Sequence, residues 1–357
     1  ICSIVIKQIR GLTSMPESSH PNRDTIVDVL TQFDLKLHSY QPIRKIWRVK
    51  TDAGFKYLKK SRLSPAELEF IFEALEYLNA QSFLNVLRLA LSKNGTPFAA
   101  RRGELYILTD WVFSREVDFG ILMDLKQASR FLAEFHLKSQ GFSPLVNLPA
   151  RTAWLNWPSK MELRLRQMDH FRELALSERN TSDFSRLYLS YFDYYRNQGE
   201  TAYQALMCSP YQEVAQTAAT NRSFCHHDFS GRNLLRAFDG RLILIDFDYS
   251  LLDLRIHDLI NLVVRNLKHS NWDLDICRFI LKEYHQVAPL TEAEVKVMRI
   301  LLVWPHDFWQ VGLQYYYEKL PWPKERFIKK LEGKIKDRLE REDFLRKFPK
   351  ENGVWRI

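Results

Sequence analysis

Asp228, Asn233 and Asp246 are the residues in this chain whose types and spacing could do chemistry together. They lie in the stretch Cys225 to Ser250, where Leu234-Leu235-Arg236-Ala237 and Arg241-Leu242-Ile243-Leu244-Ile245 form two short strand-like runs around Phe238-Asp239-Gly240. Asp-Gly between apolar runs predicts a hairpin. Closing there leaves Asn233 and Asp246 together at the end far from the turn, each roughly 16 Å from it at about 3.3 Å per residue. Asp228 precedes the pair by a short loop. An acid and an amide at a shared strand end, with a second acid beside them, make an oxygen-rich site suited to Mg²⁺. Phosphoryl transfer uses such a set: oxygen ligands for a metal, and an acid that orients the attacking hydroxyl.

His226-His227-Asp228-Phe229-Ser230-Gly231-Arg232-Asn233 resembles the H-x-D-x-x-x-x-N catalytic loop of aminoglycoside- and choline-kinase-like phosphotransferases. Ile245-Asp246-Phe247-Asp248 resembles their I-D-F-x metal loop, the counterpart of D-F-G in protein kinases. The resemblance implies Asp228 as catalytic base, Asn233 and Asp246 as Mg²⁺ ligands, and His226 as a brace for the loop. Asp258, in Arg255-Ile256-His257-Asp258-Leu259, would anchor the loop from below. Asp248 and His227 stand where Gly is usual, so Asp248 offers the ion a further carboxylate and His227 adds bulk beside the base. The implied fold is α+β and bilobal, protein-kinase-like, with a small β-rich N-lobe and a larger, mostly helical C-lobe. ATP and Mg²⁺ are the implied cofactors.

Further features narrow the resemblance. Leu132-Ala133-Glu134-Phe135-His136 precedes a Gly-Phe, and Pro305-His306-Asp307-Phe308-Trp309 leads into a Tyr-rich helix. With His227 and Asp246-Phe247-Asp248-Tyr249, they are similar to the spore-coat protein S and I type family of endospore-forming bacteria, over about residues 24–350. The family implies assembly into, or modification of, the coat, with other coat proteins as partners and the mother-cell cytoplasm and spore coat as setting. The superfamily implies ATP-dependent transfer to a hydroxyl of a small molecule or coat saccharide. A catalytically silent scaffold of the coat, and a sugar or amino-alcohol kinase unrelated to sporulation, are the alternatives.

The N-lobe is expected over residues 23–112, after a tail of 1–22. Asp24 to Phe33 has helical spacing, and Ile43–Lys50 and Phe55–Lys60 read as strands around Thr51-Asp52-Ala53-Gly54. Phe55, Tyr57 and Lys59 share one strand face, and Lys59, with Lys60 beside it as the neighbour it could be confused with, is where a kinase-like fold grips the nucleotide phosphates. Ser64-Pro65-Ala66-Glu67 opens a helix with a capping box. Glu69 and Glu73 share a face of that helix, and Glu73 is the favoured partner for Lys59. Strands follow at residues 97–100 and 104–108, and the hinge at Asp110, Trp111 and Val112 would offer backbone groups to adenine. No Gly-rich phosphate loop is visible between 41 and 54.

The C-lobe is expected over residues 113–357, with the catalytic hairpin at 225–250. Asp118 to Lys138 is amphipathic, residues 154–220 are helical and dense in Tyr and Phe, and Thr291-Glu292-Ala293-Glu294 opens another capped helix. Phe327 to Phe348 repeats Phe327, Leu331, Ile335 and Leu339 every fourth residue, which predicts a terminal helix docked on the lobe rather than one lying on an anionic surface. A length of 357 residues with 46% hydrophobic and 13% aromatic content supports two packed lobes and excludes disorder. No apolar run reaches the length of a transmembrane helix. The cysteines at 2, 208, 225 and 277 lack metal or disulfide spacing and read as free thiols of a reducing cytosol. The net charge of +9 fits a nucleotide partner, and without a long basic run DNA is not expected.

Overall fold

The computed structural model describes residues 22–348 apart from Asn147 and Thr181. The predicted tail of 1–22 lies outside the described residues, except Asn22. The chain packs as two units, residues up to 69 with 88–111, and residues 70–87 with 112 onward.

The first unit is built on five antiparallel strands, β1 (Leu37–Ile43), β2 (Ile46–Thr51), β3 (Gly54–Ser61), β4 (Ala99–Arg101) and β5 (Glu104–Asp110), in the order β1-β2-β3-β5-β4. Helix α1 (Arg23–Gln32) covers it, with Ile26, Val29 and Leu30 packed against Trp47, Val49, Leu58 and Leu108. Its cap is Asn22, whose Oδ1 accepts the Thr25 N–H at 3.0 Å. The sequence reading merges Ile43 with the next strand. In the structure Ile43 ends β1, and Arg44, at φ 56°, turns the chain so that Ile46 opens β2. β1 carries no alternating apolar pattern because it is an exposed edge containing Pro42, whose lack of an N–H an edge tolerates.

Helix α2 (Pro65–Ala80) starts as expected, with Glu67 Oε2 accepting the Ser64 N–H at 3.0 Å and Ser64 Oγ accepting the Glu67 N–H at 3.4 Å. In the second unit a small antiparallel sheet, β6 (Ser114–Glu116), β7 (Leu234–Ala237) and β8 (Leu242–Leu244), is surrounded by helices. These are α3 (Leu122–Lys138), α4 (Trp157–Glu178), α5 (Asp183–Met207), α6 (Tyr211–Thr220), α7 (Ile256–Leu267), α8 (Leu274–His285), α9 (Glu292–Val303), α10 (His306–Gly312), α11 (Lys324–Ile335) and α12 (Arg338–Lys347). α3 begins four residues later than its periodicity suggests. Asp118 instead folds back on its own loop, its Oδ1 accepting the Gly120 N–H at 2.9 Å.

The aromatic run across α4 and α5 is core. Tyr188 stacks on Phe308 at 4.4 Å and Phe171 on Tyr316 at 5.8 Å, within a cluster that includes Phe184, Phe192 and Tyr195. The C-terminal segment is two helices, not one, broken between Ile335 and Arg338. Phe327 and Leu331 are buried as the stripe requires, but the break rotates Leu339 outward to 63% exposed, and Phe344 and Phe348 take over the packing. Arg341 anchors the last helix by donating to the carbonyls of Leu302, Val303 and Trp304 at the end of α9, which have no partner within that helix.

Candidate active site

The hairpin closes where Asp239-Gly240 predicts. Leu234 faces Leu244 and Arg236 faces Leu242, with Gly240 at φ 89° in the turn. One step beyond the ladder the Ile245 N–H donates to the Asn233 carbonyl at 2.9 Å, so Asp246 follows directly on the residue bonded to Asn233. Asp246 adopts the left-handed conformation, φ 65° and ψ 67°, and leads into the 3₁₀ turn Phe247–Tyr249. A non-glycine residue held there is the sort of local strain that clusters at functional sites. Asp248 is half-buried within that turn, and its carbonyl accepts from Arg151 at 2.7 Å.

The Asn233 amide donates at 2.9 Å to both the carbonyl and the Oδ2 of Asp228. With Nδ2 so engaged, Oδ1 is the Asn233 side-chain atom left to act as a ligand. The other Asp228 oxygen, Oδ1, accepts from Arg265 Nη2 on α7 at 2.8 Å. His226, fully buried, joins the two loops: its Nδ1 accepts the Asp228 N–H at 3.2 Å and its Nε2 lies 2.9 Å from the Ile245 carbonyl. An Nδ1 that accepts puts the ring proton on Nε2, as the bond to Ile245 needs.

Asp258, in the first turn of α7, holds the loop from beneath. Its Oδ2 accepts the His226 N–H at 2.7 Å and its Oδ1 the His227 N–H at 2.8 Å. His136 Nε2, 3.3 Å from Oδ2, adds a third contact and is itself fixed by Tyr284 at 2.8 Å. Burial alone would raise the Asp258 carboxyl, but bonds from His136 and His257 outweigh it and hold the group well below the usual carboxylate range. His227 sits at φ 64°, a conformation that favours Gly. Its ring does not crowd the base as its bulk suggests: it stacks on His257 at 3.9 Å, with Nε2 3.0 Å from Asp253 Oδ2 but without hydrogen-bond alignment. Burial pushes His227 down from the ordinary histidine value.

In the first unit the register separates the two candidate lysines. Lys60 pairs with Glu104 at 2.8 Å on the exposed face, while Lys59 is half-buried on the other, opposite Ile46 and Ile107. Asp110 pairs with Lys56 at 2.5 Å and is 75% exposed. The Trp111 N–H donates to the Phe55 carbonyl at 3.1 Å, and its ring lies 5.5 Å from the Arg48 guanidinium. In the second unit the Val112 carbonyl accepts from Ser114 Oγ at 3.3 Å, and Glu73 Oε2 accepts the Leu145 N–H at 2.8 Å.

Arg265, Asp253 and His257 belong to this site and escape a motif-based reading. A signal does exist for Arg265: His257, Asn261, Arg265 and Lys268 recur at steps of four, four and three, a polar stripe along a helix whose other positions, Asp258 and Asn266 apart, are apolar.

Residues 28–348 match the family model described as "Spore coat putative kinase YutH". Spore coat protein S of Bacillus subtilis (strain 168) is 30% identical over 318 residues, 88% of this chain and 89% of that protein. Among solved structures, an aminoglycoside phosphotransferase from Alicyclobacillus acidocaldarius superposes with a TM-score of 0.75 at 18% identity, covering 96% of this chain and 97% of its own. A spectinomycin phosphotransferase crystallised with ADP and spectinomycin superposes with a TM-score of 0.55 at 11% identity, covering 89% and 98%. These structural likenesses show the fold: a kinase-like β-sheet region followed by a mostly helical part.

Proposed function

The chain belongs to the spore coat kinase family that its residues 28–348 match, and from that premise we propose that it is a coat-associated phosphotransferase acting on a hydroxyl of a small molecule or coat saccharide. The reading is carried by the bond from Asn233 Nδ2 to Asp228 Oδ2 at 2.9 Å, with Asn233 tied through its backbone to the residue before Asp246. A loop that served only to fold would have no need to gather two acids and an amide.

The acceptor hydroxyl would lie against Asp228, which takes its proton. The acceptor O–P bond forms as the bond from the γ phosphorus to the β,γ-bridging oxygen breaks, and ADP leaves. Arg265 and Asn233 fix the Asp228 carboxylate so that no rotation is needed at the moment of reaction. The donor set of Asn233 Oδ1 and Asp246, all oxygen, fits Mg²⁺, which when bound would neutralise charge on the phosphates. Lys59 is the proposed cationic partner of the nucleotide, and the segment Asp110 to Val112 the proposed adenine contact; solved neighbours crystallised with nucleotide support that part.

One observation favours the silent scaffold instead. Both Asp228 oxygens already accept bonds within the chain, from Arg265 and Asn233. A thermal-shift titration with ATP separates the readings. A rise in Tm that requires Mg²⁺ and vanishes in Asp246→Ala is expected. No rise, or one that survives the substitution, points to the scaffold.

A further inference from the structure

The head of α4 packs against residues that brace the Asp228 loop. Trp157, at the head of α4, donates to Asp253 at 2.9 Å and meets the His257 ring edge-on at 6.4 Å, and His257 stacks on His227, the residue before the base. One turn apart on the same helix stand Lys160 and Arg164, both half-buried. Among the described residues neither has a carboxylate at ion-pair distance. Arg164 lies over the Trp309 ring at 4.2 Å, and its charge bears on His306 in α10. Burial pushes Arg164 down to about 10, so it stays a cation at neutral pH, and burial also lowers Lys160, on which Asp253 and Arg164 bear.

α7 and the residue after it carry the remaining cations. Arg265 is balanced by Asp228 itself, and Lys268 pairs with Asp307, which it shares with Lys334 at 3.1 Å. Asp307 thus answers two lysines, and Asp253 is engaged by Trp157 and the Leu254 N–H. Asp253 bears on Lys160, which leaves Arg164 as the half-buried cation without a nearby carboxylate among the described residues; such a cation is costly, and a bound anion is the ordinary way to offset that cost.

We infer that the acceptor of this site carries its own negative charge, a carboxylate or phosphate close to the reacting hydroxyl, received by Lys160 and Arg164. A cationic amine such as spectinomycin would meet like charge there. The inference rests on the phosphotransfer reading for the word acceptor, but binding alone tests it. Nucleotide-free protein is titrated calorimetrically with glucuronate, glucose 6-phosphate, glucose and glucosamine. At least one acid is expected to bind about tenfold or more tighter than glucose, with glucosamine weakest, and the preferred acid tells carboxylate from phosphate. Arg164→Gln should abolish that preference, while Arg166→Gln, an exposed charge two residues on, should leave it intact; both should keep the wild-type Tm. Equal binding of glucose and the acids, no acid binding at about 10 mM, or a preference that survives Arg164→Gln overturns the inference. Should the acids bind while the ATP and Mg²⁺ shift is absent, the phosphotransfer reading fails and the anion site stands.

Discussion

Replacing Asp258 by Asn removes one charge and almost no volume, so its cost isolates what the buried carboxylate does. The carboxylate accepts the consecutive N–H groups of His226 and His227 at 2.7 and 2.8 Å and faces His136 Nε2 at 3.3 Å, with no exposure to water. Each hydrogen bond to an ionised acceptor contributes about 1.5–3 kcal/mol. An Asn can accept on one side, but on the other its NH₂ meets a backbone N–H, donor against donor, and orphans a buried group at about 1–3 kcal/mol. The loss expected is about 3–5 kcal/mol, the range for breaking a buried charged partnership. Urea denaturation at pH 7 should show it as a lower midpoint at unchanged slope. The sign with pH follows from linkage. The folded carboxyl sits well below its unfolded value of about 3.9, so its stabilisation is complete above about pH 4 and fades as pH falls toward the folded value. The difference between wild type and Asp258→Asn should therefore shrink on acidification below pH 4. A difference under about 1 kcal/mol at pH 7, or one that grows in acid, would refute the account of Asp258 as the anchor.

Arg265→Gln leaves Asp228 without its cationic restraint. The pair is 41% and 35% exposed, so the effect on stability should be under about 1 kcal/mol, while under the proposed phosphotransfer kcat should fall about tenfold with KM for ATP unchanged. A rise in kcat would mean that Arg265 withholds the base rather than positioning it. Gly231→Ala is the harsher change: a Cβ there would stand 2.3 Å from the Val117 carbonyl, which cannot move without β6. A loss of about 1–3 kcal/mol, read as a fall in Tm, is expected, and an unchanged Tm would refute the close approach.

What could be read from the chain before its fold was known is what local chemistry encodes. Asp239-Gly240 fixes the hairpin and with it the meeting of Asn233 and Asp246, because turn type and register follow from neighbours in sequence. Ser64 and Glu67 fix the start of α2 for the same reason. The edge strand β1 was hidden because nothing buries its residues, so no period marks it. The break between α11 and α12 was hidden because a repeat of every fourth residue drifts slowly around a helix, and only the tertiary surface shows which of Leu339 and Phe344 is buried. Arg265 could not be assigned to Asp228 because the residues lie 37 positions apart and meet only through the packing of α7 on the loop.

The guanidinium of Arg341 reaches back to close the far end of α9. Cutting the chain after Ile335 would strip the Leu302 and Val303 carbonyls of this donor and uncover the Trp272 ring that faces Phe344. The helix Arg338–Lys347 therefore behaves as a clasp for the helical half of the molecule. A shortened version would lose folded yield before it lost any chemistry.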